Sequence, residues 1–312
     1  MAVVVGPFTS RRLGHSLGIN HIPAKHCCYS CGYCRFGATP QTEVVRHAFH
    51  TPDNILREVS RRLASLRKRG ETMDYLALAP DGEPTLDSRL GELIDGLRPL
   101  GVPIAVVSNA ALIWREEVRA ELARADWVCL KVDSVDRATW HALNRPHPGL
   151  DLATILEGIR AFAKEYRGTL ASETTLVAGL NDAAEEVEAL ARFLEEIGIR
   201  LAYLSRPRPP RAGSVRHRPD ESALVRAWHV LTRRLARVVL LTTEEAEESS
   251  QSTDARGQLL VAATQPMRAS AVRALLARAG ADMALARALV VEGRLRRVAY
   301  DGEVYYIRRL DI

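Results

Sequence analysis

At 312 residues the chain is longer than a typical single domain, and one large domain with a small companion is the expectation. Apolar residues make up 47% of it, enough for a buried core, yet no apolar run approaches the ~20 residues of a membrane span. The short apolar start, with its charges after it, is no secretory h-region, so a cytoplasmic protein without membrane association is expected. The formal net charge of +5 is carried almost wholly by arginine, lysine standing only at Lys25, Lys68, Lys131 and Lys164. With so much alanine besides, this is a bias of the whole chain and weak evidence for a nucleic-acid partner.

In chain order, SRRLGHSLGIN at 10–20 places Arg11, Arg12 and His15 ahead of a short strand at about 17–22. A cysteine run follows, KHCCYSCGYCRFG. Thr51 to Asp53 offer cap and turn chemistry for a helix to about Lys68, with Ile55, Leu56, Val59 and Leu63 on one face and Gly70 as its stop. Strand text then alternates with helical text. MDYLALA (73–79) leads to the helix LDSRLGELIDGLRPL, and VPIAVVS (102–108) to a helix from about Trp114 to Arg124. DWVCLKV (126–132) is followed by helical text at 136–143, the break NRPHPG and a helix from about Asp151 to Tyr166. TLASETTLV (169–177), the helix AAEEVEALARFLEEIG and IRLAYLS (199–205) complete the series.

Such alternation marks a parallel α/β fold, and near-continuous apolar strands are those buried on both faces. Six β/α units fall short of a closed eight-fold barrel, so the expected architecture is a partial (β/α)6 TIM-like barrel. RPRPPRAGSVRHRP (206–219) cannot build a regular core element and reads as a loop. A helix at about 220–236 and a strand VVLLT follow, then the acidic, polar EEAEESSQSTDARG, which reads as a linker. Helices at 257–264, 270–278 and 281–291 precede LRRVAYDGEVYYIRR, where Asp301-Gly302 signals a hairpin. Three short helices and a hairpin describe a winged helix. The expected organisation is a core over 1–245, a linker at 246–256 and a winged-helix-like domain over 257–312.

Cys27, Cys31 and Cys34 stand C-x3-C-x2-C apart on one short loop. Three thiolates can hold three irons of a [4Fe–4S] cluster, which normally takes four, so the remaining iron is left for another ligand. Cys28 also fits, as C-x2-C-x2-C with Cys31 and Cys34. A closed zinc site would want a fourth cysteine nearby, and the next is Cys129; His47 or His50 completing a mixed zinc site is the alternative. A disulfide is disfavoured in a chain that reads as intracellular.

With Tyr33 just before the last cysteine, the loop resembles the radical S-adenosylmethionine (SAM) superfamily, whose signature is C-x3-C-x-aromatic-C. SRRLGHSLGIN followed by P-x-K-x-C is similar to a subgroup that includes wyosine tRNA-modifying synthases. The resemblance covers about residues 6 to 215 and implies a (β/α)6 partial barrel, with Cys27 as the first ligand and SAM chelating the open iron. It further implies that Gly82 and Glu83 of DGEPT meet the SAM ammonium. The family motif is Gly-Gly-Glu-like, and Asp81 replaces its first glycine here. Ser108 and Asn109, at a strand tip, would contact the SAM ribose or carboxylate, or else cap the next helix. VAGLND (177–182) resembles the apolar-Gly motif that flanks the adenine.

Lys131, Asp133, Glu173 and Thr174 are polar positions in otherwise apolar strand text. Some must face the barrel interior, where a charge needs a partner or a ligand; Lys131, Asp133 and Glu173 are the candidate catalytic residues, with an ion pair of Lys131 with Asp133 or Glu173 as the bland alternative. NRPHP (144–148) is either a cover for the site or a rigid connection. The resemblance implies an electron from a flavodoxin- or ferredoxin-type donor, reductive cleavage of SAM and hydrogen abstraction by a 5′-deoxyadenosyl radical. Only Cys28 and Cys129 would remain, too few for a second cluster. RNA is one expected substrate, read from the subgroup, the arginines between Arg206 and Arg218 and the winged helix. A peptide held by strand addition to that winged helix is another, and an iron–sulfur DNA-binding sensor is a third reading.

Overall fold

The computed structural model describes residues 3–207, 218–241 and 254–309. Eight strands form one curled sheet in chain order: β1 (Val4–Ser10), β2 (Gly14–Ile19), β3 (Tyr75–Leu78), β4 (Ile104–Ser108), β5 (Trp127–Lys131), β6 (Thr169–Thr175), β7 (Leu201–Ser205) and β8 (Arg237–Leu241). β1 and β2 are antiparallel and every later neighbour is parallel. The connections carry α1 (Pro52–Lys68), α2 (Leu90–Leu97), α3 (Glu116–Leu122), α4 (Arg137–Asn144), α5 (Leu152–Glu165), α6 (Ala184–Glu196) and α7 (Glu221–Thr232). This is the expected partial barrel, extended at both ends. VVLL, read as trailing text, adds to β7 as one more parallel strand, and Val4–Ser10 pairs back on β2 as a hairpin arm.

Side-chain alternation explains the continuous apolar runs. Leu76, Leu78, Ile104, Val106, Val128 and Leu130 pack outward under the helices, whereas Ala77, Ala105, Cys129, Ala171 and Tyr203 form a separate inner cluster. Trp127 closes the bottom of the barrel between Tyr75 and Tyr203, ring centroids 6.4 and 6.2 Å away. Above it the inner wall narrows to alanines and Cys129, which leaves room at the C-terminal mouth of the strands. Cap chemistry differs in detail from expectation. Thr51 makes no side-chain cap bond to α1, where Pro52 opens the helix, but Asp136, Asp151 and Asp220 each cap their helices through a carboxylate oxygen.

The C-terminal elements run α8 (Ala255–Ala262), β9 (Met267–Arg268), α9 (Ala269–Arg278), α10 (Met283–Val291), β10 (Leu295–Tyr300) and β11 (Glu303–Arg308). This is the helix–strand–helix–helix–hairpin order of a winged helix. α8 opens at Ala255, inside the expected linker, and residues 246–253 of that linker lie outside the described residues. Asp301 (φ 48°) and Gly302 (φ 72°) form the two-residue hairpin turn, both left-handed as a type I′ turn requires.

One face of the hairpin, through Leu295 and Tyr306, packs on α8–α10; the other, through Val298, Tyr305 and Ile307, joins the main core. Tyr305 meets His229 of α7, Gln265 bonds both backbone groups of Leu240 (2.6 and 2.7 Å), and Arg11 reaches Thr264 at 2.7 Å. Among the described residues no helix is long and apolar enough to cross a membrane.

Candidate active site

Cys27, Cys31 and Cys34 lie on the loop between β2 and α1 and line one cavity of about 400 Å3 at the C-terminal mouth of the strands. Cys28 is turned the other way and is fully buried in the core. The loop is fastened from two sides. Lys25 N–H donates to Asp81 O (3.0 Å) and Glu83 N–H to His26 O (2.8 Å), stitching it to the DGEP turn. Ser30 and Gly32 N–H donate to the carbonyls of Asn144 (3.0 Å) and Leu143 (2.7 Å), and His147 N–H donates to Cys28 O (2.9 Å). NRPHP is therefore a rigid strut under the cysteines, not a cover. A Cβ on Gly82 would stand 2.4 Å from His26 O, so the close approach of the two loops demands glycine there.

Glu83 is buried at the junction of three elements. Its Oε1 accepts from Thr85 N–H (3.0 Å), Thr85 Oγ1–H (2.6 Å) and Ser108 Oγ–H (2.7 Å), and its Oε2 accepts from Asn109 N–H (2.7 Å). Burial pushes the carboxyl up, and these donors oppose the shift. The donors are unevenly shared, three on Oε1 and one on Oε2, so Oε2 is the oxygen with room for a further N–H. Ser108 Oγ also accepts from Ala110 N–H (3.0 Å), and Asn109 Oδ1 accepts from Ala111 N–H (2.8 Å). Both side chains thus secure the turn after β4 rather than the N-terminus of α3, and Asn109 Nδ2 reaches Cys27 Sγ at 3.4 Å.

Lys131, Glu173, Thr175 and Ser205 crown the inner wall, each two residues beyond the inward-facing Cys129, Ala171, Glu173 and Tyr203. Lys131 and Glu173 are direct register partners. Lys131 Nζ donates to Thr175 Oγ1 (2.9 Å), lies 3.6 Å from both Asp133 Oδ1 and Glu173 Oε1, and sits 5.3 Å from the Tyr33 ring centroid. Burial lowers its proton affinity, but Asp133 and Glu173 outweigh that and hold the ammonium charged.

Asp133 also accepts from Thr175 N–H (2.7 Å), Asn144 Nδ2 (2.8 Å) and the Tyr33 hydroxyl. Tyr33 is kept protonated by burial and by that neighbouring carboxylate. Glu173 takes a second cation, Arg12, at 2.9 Å. Thr174 faces elsewhere, its hydroxyl donating to Val132 O (2.7 Å).

All eleven candidate side chains or backbone positions from Cys27 to Glu173 named above line this one cavity. Sequence reasoning assigned no role here to Lys25, Asn144, Thr175, Ser205 or Arg12. Thr175 and Ser205 were discoverable by two-residue alternation; Asn144 was not, because its partners are brought to it by the fold. Asn181 of VAGLND donates to Asp133 O (2.8 Å) and Thr175 O (3.0 Å) and shapes the turn after β6. His47 pairs with Glu43 at 3.4 Å and does not line the cavity, nor does His50. Among the described residues no three His, Cys, Asp or Glu side chains are close enough to share a single metal ion. Thiolates that each hold a different iron of a cluster stand further apart than that, and three sulfurs facing one cavity suit a cluster better than zinc.

The family profile of the radical SAM superfamily matches residues 21–194. The UPF0026 protein MJ1312 of Methanocaldococcus jannaschii is 36% identical over 99% of this chain and 97% of its own length. Among solved structures, TYW1 with a lysine-pyruvate adduct bound superposes with TM-score 0.54 at 16% identity, over 70% of this chain and 74% of that one. Streptococcus suis SuiB bound to precursor peptide SuiA gives 0.52 at 14% identity, over 71% of this chain and 48% of that one. A cysteine loop at the mouth of a parallel half-barrel and a profile match over more than half the chain agree: this chain belongs to the radical SAM superfamily, as an enzyme of that iron–sulfur and SAM chemistry.

Proposed function

We propose that the protein holds a [4Fe–4S] cluster on Cys27, Cys31 and Cys34, binds SAM beside it and abstracts a hydrogen atom from a substrate in the same cavity. The observation that carries this is the convergence of the three sulfurs, the strand-tip residues and the Lys131 layer on one space of about 400 Å3. When bound, the cluster supplies the electron for reductive SAM cleavage, delivered by a flavodoxin- or ferredoxin-type donor. The chain's own residues hold and exclude. Glu83 Oε2 keeps an acceptor position for an ammonium, as the family motif implies. Lys131, fixed as an ammonium between two carboxylates, is a poor amine nucleophile; it positions anionic or hydroxyl groups rather than forming an imine. Hydrogen bonds from Tyr33, Asn144 and the Thr175 N–H hold Asp133 in place at the cavity wall.

The substrate class this reading favours is RNA. Arg12, Lys131 and Arg206 line the cavity, and three more arginines (Arg208, Arg211, Arg216), which lie outside the described residues, follow Arg206 in sequence. Such a series suits a phosphate backbone leading into the site. One observation favours a peptide instead: among the described residues β10 pairs only with β11, so its other edge can accept an extended segment. SuiB, by its description, binds a precursor peptide.

The test is anaerobic reconstitution with iron and sulfide, followed by SAM and dithionite. About four irons per chain and release of 5′-deoxyadenosine are expected. Deuterated RNA or deuterated peptide then assigns the substrate by label transfer into deoxyadenosine. Absence of both iron and deoxyadenosine would overturn the reading.

A further inference from the structure

Each cavity-facing cysteine sulfur is met by one side-chain N–H, and each comes from a different part of the fold. Asn109, at the tip of β4, directs Nδ2 to Cys27 Sγ at 3.4 Å. Asn144, at the end of α4, places Nδ2 3.5 Å from Cys31 Sγ. Lys25, in the loop two residues ahead of Cys27, places Nζ 3.4 Å from Cys34 Sγ. These lengths are ordinary for the larger sulfur acceptor, and none of the three donors was bound to be there.

Other interactions hold each donor in place. Asn109 Oδ1 is fixed by Ala111 N–H, so its amide cannot rotate without losing that bond. Lys25 Nζ is anchored on Gly37 O at 2.8 Å. Asn144 Nδ2 spends one hydrogen on Asp133 (2.8 Å) and divides the other between Cys31 and the Tyr33 hydroxyl (3.3 Å). The buried Cys28 sulfur has no such donor among the hydrogen bonds of the described residues, although it lies in the same loop.

We propose that Lys25, Asn109 and Asn144 are positioning residues that set the reduction potential of the cluster, one side-chain N–H to each ligand sulfur among the described residues. This rests on the reading that the three sulfurs hold an iron–sulfur cluster. Hydrogen bonds to cluster sulfurs are a recognised lever on potential, and partners outside the ligand set orient and tune the metal site. The sign follows from charge. Reduction adds one negative charge to the cluster–thiolate unit, a donor stabilises the more negative state, and removing the donor lowers the potential. Lys25, a full positive charge, should act most strongly, Asn109 next, and Asn144, whose hydrogen is shared, least.

The test is a redox titration of the reconstituted protein followed by EPR, with iron content measured on the same samples. Lys25→Met keeps the aliphatic stem and removes the donor; reduction should become about tenfold less favourable, a fall of about 59 mV for one electron. Lys25→Arg should restore the wild-type value to within about twofold. Asn109→Asp keeps the acceptor for Ala111 and replaces the N–H by a carboxylate oxygen, and should also lower the potential; it carries the test if Lys25→Met fails to load. Variants that load iron and titrate at the wild-type potential would overturn this inference alone. A wild-type protein that takes up no iron would instead overturn the cluster reading beneath it.

Discussion

Lys131→Met is the most informative single change in the barrel interior. The side chain stands 3.6 Å from Asp133 and from Glu173 and bonds Thr175 at 2.9 Å. Methionine fills much of the same volume but takes away the ammonium that both carboxylates share, leaving Glu173 its ion pair with Arg12. Removing one partner from a buried ion pair costs about 3–5 kcal/mol when burial is complete. Lys131 keeps 21% of its side chain exposed, so the lower end, about 3 kcal/mol, applies. Anaerobic urea unfolding of the metal-free protein reads this directly. Adding Glu173→Gln removes one of the stranded charges and should recover about 1–2 kcal/mol, a coupling that a double-mutant cycle isolates. Equal unfolding midpoints for wild type and Lys131→Met, or strictly additive effects of the two changes, would refute the argument that this layer is an interlocked ion cluster.

Further outcomes follow from the same geometry. Gly82→Ala would drive a Cβ to 2.4 Å from His26 O, so the cysteine loop must separate from the DGEP turn; iron retention against a chelator should fall at least several-fold. Cys28→Ala should keep its iron and lose about 1–2 kcal/mol as a core truncation, whereas Cys27→Ala should lose the cluster. Iron analysis of the two variants side by side checks both halves. His21 is fully buried, and burial lowers its pKa to about 4. A histidine depressed in the folded state stabilises it above the unfolded pKa of about 6.5, and that stability is lost as pH falls from there toward 4. The loss amounts to about 3 kcal/mol, and His21→Leu should remove that part of the acid sensitivity in unfolding curves measured across pH 4–7.

Much of the fold was legible because buried parallel strands print themselves as apolar runs: VPIAVVS, DWVCLKV and IRLAYLS each hold the strand later seen. The first strand was not, because Gly6-Pro7 interrupts its pattern and its pairing skips register between Val5 and Phe8. VVLL looked terminal because nothing in a sequence says whether a strand joins an existing edge. The cysteine spacing and the GEPT turn were legible as local motifs. What joins them was not: Gly82 against His26, Glu83 holding Ser108 and Asn109, and Asn144 between Asp133 and Cys31 depend on elements far apart in the chain. Cys27 and Cys28 both fit a three-cysteine pattern; the family's C-x3-C spacing favours Cys27, and the fold turns Cys27 to the cavity and Cys28 into the core. Glu173 was legible as a charge in a strand; its second partner, Arg12, was legible only as one of a basic pair.

If three cysteines leave one iron for SAM, electron–nuclear double resonance on the reduced protein with 15N-labelled SAM will detect the bond most directly. A hyperfine coupling from the methionine amino nitrogen should appear with SAM and be lost with the cluster in Cys31→Ala. A reduced cluster whose spectrum is the same with and without SAM would contradict it.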